Sequence, residues 1–403
     1  MVPVKVLLLE NIHEVAHEAL VDAGYTVDTR SGALDETELI EALEGVDMLG
    51  IRSKTQITAE VLRARPELQA IGAFCIGTNQ INLEEAAQAG TVVFNAPFSN
   101  TRSVVELAMA EIISMARHLT DKNAALHAGV WDKSAKGAHE VRGRSLGIVG
   151  YGNIGSQLSV IAEAFGMHVS YYDLDDKLPL GNARRCDSLE ELLQSCETVT
   201  LHVDGRNGNA GNFGAEQFAM MRPRSLFLNL SRGFVVDLEA LRDNLVSGHV
   251  AGAAVDVFPS EPKSAGDPFT SCLQGLPNVI LTPHVGGSTE EAQYDIGRYV
   301  SAKLRDYQST GATTMSVNVP GVTAPQAVGD TRILHLHRNV PGVLARVNTI
   351  LSEGGANIDG QQLSTKGEYG YAVTDLAGSV DQAVVDRLRA LEETVEVRLI
   401  STI

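Results

Sequence analysis

The feature that most constrains this chain is Gly150-Tyr151-Gly152-Asn153-Ile154-Gly155. It follows the apolar run SLGIVG (145–150) and opens a segment with helical spacing. A GxGxxG between a strand and a helix is the phosphate-binding turn of a parallel α/β sheet. Gly150 permits the tight turn, Gly152 lets backbone approach a pyrophosphate, and Gly155 lets the helix close onto the strand. The helix start offers free N–H groups and partial positive charge to phosphates. Asp173 ends the next apolar run, HVSYYD, 18 residues after Gly155. A carboxylate there accepts hydrogen bonds from ribose hydroxyls and repels the 2′-phosphate of NADP, so NAD is the expected cofactor.

Runs rich in Val, Ile and Leu repeat on both sides of this turn. HVSYYD (168–173), TVTLHV (198–203), SLFLNLS (225–231), VAGAAVDV (250–257) and VILTPH (279–284) alternate with helical patterns, as in a buried parallel sheet. Residues 99–285 are thus expected to form a Rossmann-type NAD domain. VKVLLL (4–9), VDMLGI (46–51), LQAIGAF (68–74) and TVVFNA (91–96) predict a second, flavodoxin-like α/β domain from 1–98, completed by 286–318. The Pro- and Gly-containing stretch 319–330 reads as a linker. Residues 331–403 follow the order strand, helix, strand, strand, helix, strand of a ferredoxin-like sandwich.

No apolar run reaches the roughly 18 residues of a membrane span. The first residues lack signal-peptide character, so a cytoplasmic protein is expected. The net charge of −18 argues against nucleic acid and anionic membranes as partners. An anionic substrate therefore needs a local basic pocket. Cys75, Cys186, Cys196 and Cys272 are scattered without a CxxC, which suits free thiols and no metal.

Three polar residues fall at or beyond the ends of later strands, where ligands bind in such sheets. Arg232 follows SLFLNLS, Glu261 lies in DVFPSEP, and His284 ends VILTPH. A histidine suits proton removal from a hydroxyl near neutral pH. A carboxylate beside it fixes its tautomer, and an arginine grips a carboxylate with two prongs. In the first domain, Arg52-Ser53-Lys54 sets two cations beside a hydroxyl, as a phosphate or carboxylate needs.

NLSRGFVVD, GAAVDVFPSEP and TPHVGGST resemble successive signatures of the D-isomer-specific 2-hydroxyacid dehydrogenases. The resemblance extends over essentially the whole chain, including FCIGTNQINLEEAAQAGTVVFNAPFSNTRSVVEL and a C-terminal ACT-type module. It is nearest to members that oxidise 3-phosphoglycerate to 3-phosphohydroxypyruvate with NAD at the entry to serine synthesis; reduction of 2-oxoglutarate is a possible side activity. It implies that His284 is the acid/base, paired with Glu261, and that Arg232 anchors the carboxylate. Asp256 would meet the nicotinamide end, with Leu230, Ser231, Gly286 and Gly287 lining the cofactor. Glutamate at 261, where related formate dehydrogenases carry glutamine, implies hydroxyl/ketone interconversion. Substrate contacts are implied at Arg52–Lys54, Gly77 and Asn100, with lysine at 54 where relatives often have arginine.

The resemblance also assigns His337, Asn339 and Asn357 to L-serine as effector; serine is expected to lower turnover through domain reorientation, with the linker and Gly286-Gly287 as hinge candidates. It implies a homo-oligomer, a tetramer, in which the segment around Trp131 crosses a subunit interface. Two rivals share the motifs: relatives acting on glycerate or lactate, and NAD-sensing corepressors of the same fold. The former usually lack the C-terminal module, and the latter carry disordered tails. The family's usual Pro and Thr-rich loop after HV (202–203) is replaced by DGRNGNAGN, which predicts a flexible loop and leaves a cofactor contact by Asp204 open.

Overall fold

The computed structural model describes residues 3–262, 266–327 and 329–401. Met1, Val2, Val328 within the expected linker, and Thr402 and Ile403 at the end of the expected C-terminal module lie outside the described residues. The chain divides into two compact units, Met1–Ser99 with Gln293–Ile403, and Asn100–Ala292.

In the first unit β1 (Lys5–Leu8), β2 (Thr26–Thr29), β3 (Met48–Ile51), β4 (Ala70–Ala73) and β5 (Val92–Asn95) form a parallel sheet ordered 2-1-3-4-5. That is the flavodoxin-like order. β3, β4 and β5 are buried along their whole length, because helices cover both faces. β2, TVDT, is an exposed edge strand that no apolar run marks.

The second unit holds β6 (Ser145–Val149), β7 (His168–Tyr172), β8 (Arg184–Arg185), β9 (Thr198–Leu201), β10 (Ser225–Asn229), β11 (Val250–Val255) and β12 (Val279–Leu281). They form a parallel sheet ordered 12-11-10-9-6-7-8. With one further edge strand, this is the doubly wound dinucleotide order, reversing between β6 and β9. The Thr101–Ala116 helix lays Val104, Val105, Ala108, Ile112 and Met115 into its core. A following helix, Leu119–His127, has no buried residues, so its sequence carries no apolar stripe to reveal it. Trp131 beyond it is 79% exposed.

The first unit also contains the C-terminal sandwich. β13 (Thr331–Arg338), β14 (Asn357–Lys366), β15 (Tyr369–Ala377) and β16 (Thr394–Ser401) form an antiparallel sheet ordered 14-15-13-16. The Val343–Glu353 and Gln382–Arg389 helices pack on it through Val347, Leu351, Val385 and Leu388. The expected linker is a packed strap, with Val319, Val322 and Ala324 buried. Fully buried Arg332 donates to both carboxylate oxygens of Asp375, at 2.6 and 2.8 Å. It also donates to the carbonyls of Thr310 and Pro325. A buried guanidinium so satisfied fixes the strap to the sheet. Pro and Gly here exclude helix and strand without leaving a free tether.

Candidate active site

The glycine turn meets the test for a dinucleotide. Gly150 sits at φ +92, and a side chain there would meet the His202 carbonyl at 2.5 Å. One at Gly155 would lie 2.2 Å from the Gly150 carbonyl oxygen. The fold itself demands both glycines. A side chain at Gly152 would touch nothing within 4 Å, so nothing within the protein requires glycine there. Gly152 keeps the surface bare at the helix start, as an approaching pyrophosphate requires. Exposed Asn153 and half-buried Ile154 open the Asn153–Ala164 helix just beyond.

Half-buried Asp173 accepts the Tyr151 N–H at 2.7 Å and the Asp175 N–H at 2.9 Å. These bonds aim its carboxylate at the turn and leave lone pairs for ribose hydroxyls. His202, at the end of β9, is held neutral by burial, its pKa pushed down to about 4. Its Nε2 pairs with Thr200 Oγ1 at 3.0 Å. Only its position after TVTL could have pointed to it.

Arg232, Glu261 and His284 come together in the second unit. His284 Nδ1 hydrogen-bonds Glu261 Oε2 at 2.9 Å, and Glu261 Oε1 accepts the Phe258 N–H at 3.1 Å. That contact and the charge of Glu261 raise the His284 pKa above its ordinary value against the effect of burial. Burial pushes the Glu261 carboxyl up, but the bonds from His284 and Phe258 outweigh it and bring it below the ordinary range. The Arg232 charge acts on both groups. Its Nη1 donates to its own neighbour's carbonyl, that of Ser231, at 2.7 Å.

Two residues absent from the sequence reading shape this cluster. Fully buried Asn229 accepts from Ser231 N–H and Oγ and donates to the Arg232 carbonyl, which sets the turn after β10. Gly233 is obligatory, because a Cβ there would lie 2.0 Å from the Phe258 carbonyl carbon. Leu230 and Ser231, expected to line a cofactor, are both buried.

Asp256 is the residue expected to meet the nicotinamide end. It is 1% exposed and serves the His284 turn: Thr282 Oγ1 (2.6 Å) and Val285 N–H (2.8 Å) donate to Oδ1, and Gly286 N–H (2.8 Å) donates to Oδ2. His284 itself stands in the left-handed region at φ +55. A side chain at Gly286 would meet Asp256 Oδ2 at 2.9 Å, and one at Gly287 would meet Asn100 Nδ2 at 2.1 Å. Asn100 thus lies beside Gly287 in the second unit.

Facing Asp256 is a further acid, Glu111, 3% exposed on the Thr101–Ala116 helix. Neither carboxyl oxygen has a partner among the described residues. Burial, reinforced by the Asp256 charge, pushes its pKa up to about 8. Its place on an apolar stripe was visible in the sequence, but its neighbour was not.

In the first unit, Arg52, Ser53 and Lys54 follow β3 and Gly77 follows β4. Gln80 Nε2 joins them, donating to the carbonyls of Arg52 (2.7 Å) and Gly77 (3.2 Å). Glu10, buried at φ +64, accepts the N–H groups of Lys54 and Thr55. Asp204 is engaged by its own loop, bonding Arg206 and Asn209.

His337 is buried with Nδ1 on the Arg338 carbonyl and Nε2 unpartnered among the described residues. Asn339 donates to the Gly367 carbonyl nearby. Asn357 pairs with Ala377, whereas His337 pairs with Gly370. Seven strand residues separate those partners, on the order of 20 Å. One copy therefore does not bring the three together.

Residues 109–286 match the family model for the D-isomer specific 2-hydroxyacid dehydrogenase, NAD binding domain. Residues 333–397 match the AHAS small subunit-like ACT domain. D-3-phosphoglycerate dehydrogenase of Escherichia coli K12 is 47% identical over 400 residues, covering 98% of this chain and 97% of that protein. The chain belongs to the D-3-phosphoglycerate dehydrogenase family. The Haemophilus influenzae enzyme of that name is 47% identical over 398 residues, 98% of this chain and 97% of its own. Saccharomyces cerevisiae D-3-phosphoglycerate dehydrogenase 1 is 45% identical over 412 residues, 98% and 87% respectively. Among solved structures, a glyoxylate reductase from Paecilomyces thermophila aligns with TM-score 0.71 and 25% identity over 79% of this chain and 99% of that one. The ACT match at residues 333–397 lies beyond the NAD-domain match. NAD is the cofactor of this family's dinucleotide domain. Among the described residues no helix is long and apolar enough to cross a membrane.

Proposed function

We propose that the chain oxidises D-3-phosphoglycerate to 3-phosphohydroxypyruvate with NAD, the first step of L-serine biosynthesis, restrained by L-serine at its C-terminal module. The observation that carries the reading is the 2.9 Å His284–Glu261 pair within reach of the Arg232 charge, beyond the strands that follow the glycine turn. Bound NAD supplies the hydride acceptor. Arg232 pairs with the substrate carboxylate and polarises the C2 oxygen. Glu261 holds the His284 Nδ1–H, so that Nε2 is bare to take the C2 hydroxyl proton. Asp256 keeps the His284 turn in place, and Leu230, Ser231, Gly286 and Gly287 border the cofactor. Arg52, Ser53, Lys54, Gly77 and Asn100 are assigned to substrate, the two cations to its phosphate.

Residues 1–98 with 286–318 would then serve substrate, 99–285 the dinucleotide, 319–330 the connection and 331–403 regulation. The separation of Asn357 from His337 and Asn339 supports an effector site built from two copies, as paired ACT modules make. A homo-oligomer, a tetramer, in the cytoplasm fits this reading. The test is NAD-linked oxidation of 3-phosphoglycerate, glycerate and D-lactate, with and without millimolar L-serine. Equal rates on the unphosphorylated acids would sink the substrate assignment, and indifference to serine would sink the effector. His284→Ala should lower turnover by roughly 10²–10⁴-fold while NAD still binds.

A further inference from the structure

At the opposite edge of the seven-stranded sheet, where the strands begin, the second unit has a partly open cavity of about 290 Å³. Ligands of such sheets bind beyond the strands' carboxyl ends, so the chemistry above has no use for it. Its walls are cationic in a chain of net charge −18. Arg144 precedes β6, and Arg222 and Arg224 precede β10, against one lining carboxylate, Glu197. Glu197 engages Arg144 at 3.2 Å and accepts the Ser145 N–H at 3.1 Å. Among the described residues the Arg222 side chain reaches only a carbonyl, that of Ser195, at 3.4 Å.

Three lining side chains carry buried polar atoms without a partner among the described residues: Arg144 Nε, Ser225 Oγ and Asn278 Oδ1. Ser225 and Asn278 are 1% and 3% exposed. Asn278 Nδ2 is committed to the Ala251 carbonyl at 2.9 Å, which fixes Oδ1 as the free end. Its N–H is held by Asp121. Polar atoms left bare in this way normally have a partner.

The backbone gives a separate indication. Seven described non-glycine residues have positive φ, and three of them line this cavity: His118 (+50), Arg224 (+63) and Asn278 (+54). Such strain gathers at ligand clamps. A fourth, His284, stands in the active site.

We infer that this cavity is a second binding site, for a small hydroxylated anion: carboxylate or phosphate oxygens against Arg144, Arg222 and Arg224, and a hydroxyl donating to Asn278 Oδ1. The pairing of charges calls for a ligand with more than one anionic oxygen group. The site lies within one unit and needs no second copy.

The experiment titrates citrate, a hydroxylated tricarboxylate, and inorganic phosphate into the full chain by calorimetry. Arg232→Ala removes the active-site anion grip and should leave citrate binding at the cavity intact. Arg222→Ala/Arg224→Ala should weaken it by roughly 10- to 100-fold, the worth of charged hydrogen bonds. Ser225→Ala, which keeps every charge, should weaken citrate several-fold, so the site can be judged even if the double variant does not fold. Phosphate alone should bind more weakly than citrate. Loss of all citrate binding in Arg232→Ala would overturn the inference, as would unchanged affinity in both cavity variants. So would a wild-type chain that binds neither anion, as when a second copy seals the cavity.

Discussion

Glu111→Gln tests whether the buried acid beneath the catalytic turn is protonated in the folded chain. Glu111 is 3% exposed, its oxygens have no partner among the described residues, and it faces Asp256. Of the elements packed on its helix, Leu119–His127 carries Asp121, Lys122 and His127, and Asn153–Ala164 carries Glu163. β10, β11 and β12 carry no ionisable group until Asp256 and His284 beyond their ends. Asp256 is the one whose charge acts on Glu111. The folded pKa of about 8 lies above the ordinary 4.5, so between those values the folded state keeps a proton that the unfolded chain has released. Stability is therefore full below pH 4.5 and is lost as pH rises towards 8. Each pH unit in that window costs about 1.4 kcal/mol, on the order of 5 kcal/mol across it. Glutamine has the same shape and cannot ionise. In a unit of this size about 1 kcal/mol moves Tm by roughly 2–4 °C. The Tm lead of the variant over the parent should widen by on the order of 10 °C from pH 5 to pH 8 in thermal melts. Parallel Tm curves across that range would refute a buried neutral acid at this position.

Glu261→Gln removes the main cause of the raised His284 pKa, so the acid limb of kcat/KM should move to lower pH while turnover falls; an unmoved limb would separate the two residues functionally. Asp256→Asn leaves one of three donors facing an amide N–H; a buried donor left unmet costs roughly 1–3 kcal/mol, and kcat should drop at least tenfold with KM for NAD changed less. The same variant withdraws charge from Glu111, so its folded pKa falls toward the ordinary value, and its pH-dependent loss of stability should end at lower pH and be smaller. Asp173→Ala should weaken NADH and narrow its preference over NADPH in fluorescence titrations; undiminished discrimination would remove Asp173 from the ribose.

Strands buried on both faces announce themselves as unbroken apolar runs, which is why β3 to β5 and β9 to β11 were legible. β2 and β8 were not, because an exposed edge strand needs no apolar residue. The glycines were legible in kind but not in cause. Gly150, Gly155 and Gly233 answer to backbone a few ångströms away, and Gly152 to none. Glu10, Gln80 and Asn229 could not be found from pattern: each is a polar residue inside the fold, and its meaning lies in carbonyls and N–H groups brought near by long-range packing. The effector residues show the converse. His337, Asn339 and Asn357 read as one set by resemblance, yet strand register separates them within a copy.

The turn that carries His284 shows why the signature TPHVGG takes the form it does. A histidine at φ +55 costs roughly 1–3 kcal/mol. The three bonds to the Asp256 carboxylate, each to a charged acceptor and so worth roughly 1.5–3 kcal/mol, exceed that cost. Gly286 is needed because any Cβ would crowd the same carboxylate. Asp256 therefore acts through geometry: it holds His284 in a conformation that the chain alone disfavours. The raised His284 pKa owes more to Glu261, and less to Asp256 behind it. Two carboxylates thus act on the imidazole proposed as the base, one on its placement and one on its pKa. Burial and the Asp256 charge raise the Glu111 pKa, so the proton it keeps below about pH 8 spares this cradle a second buried negative charge.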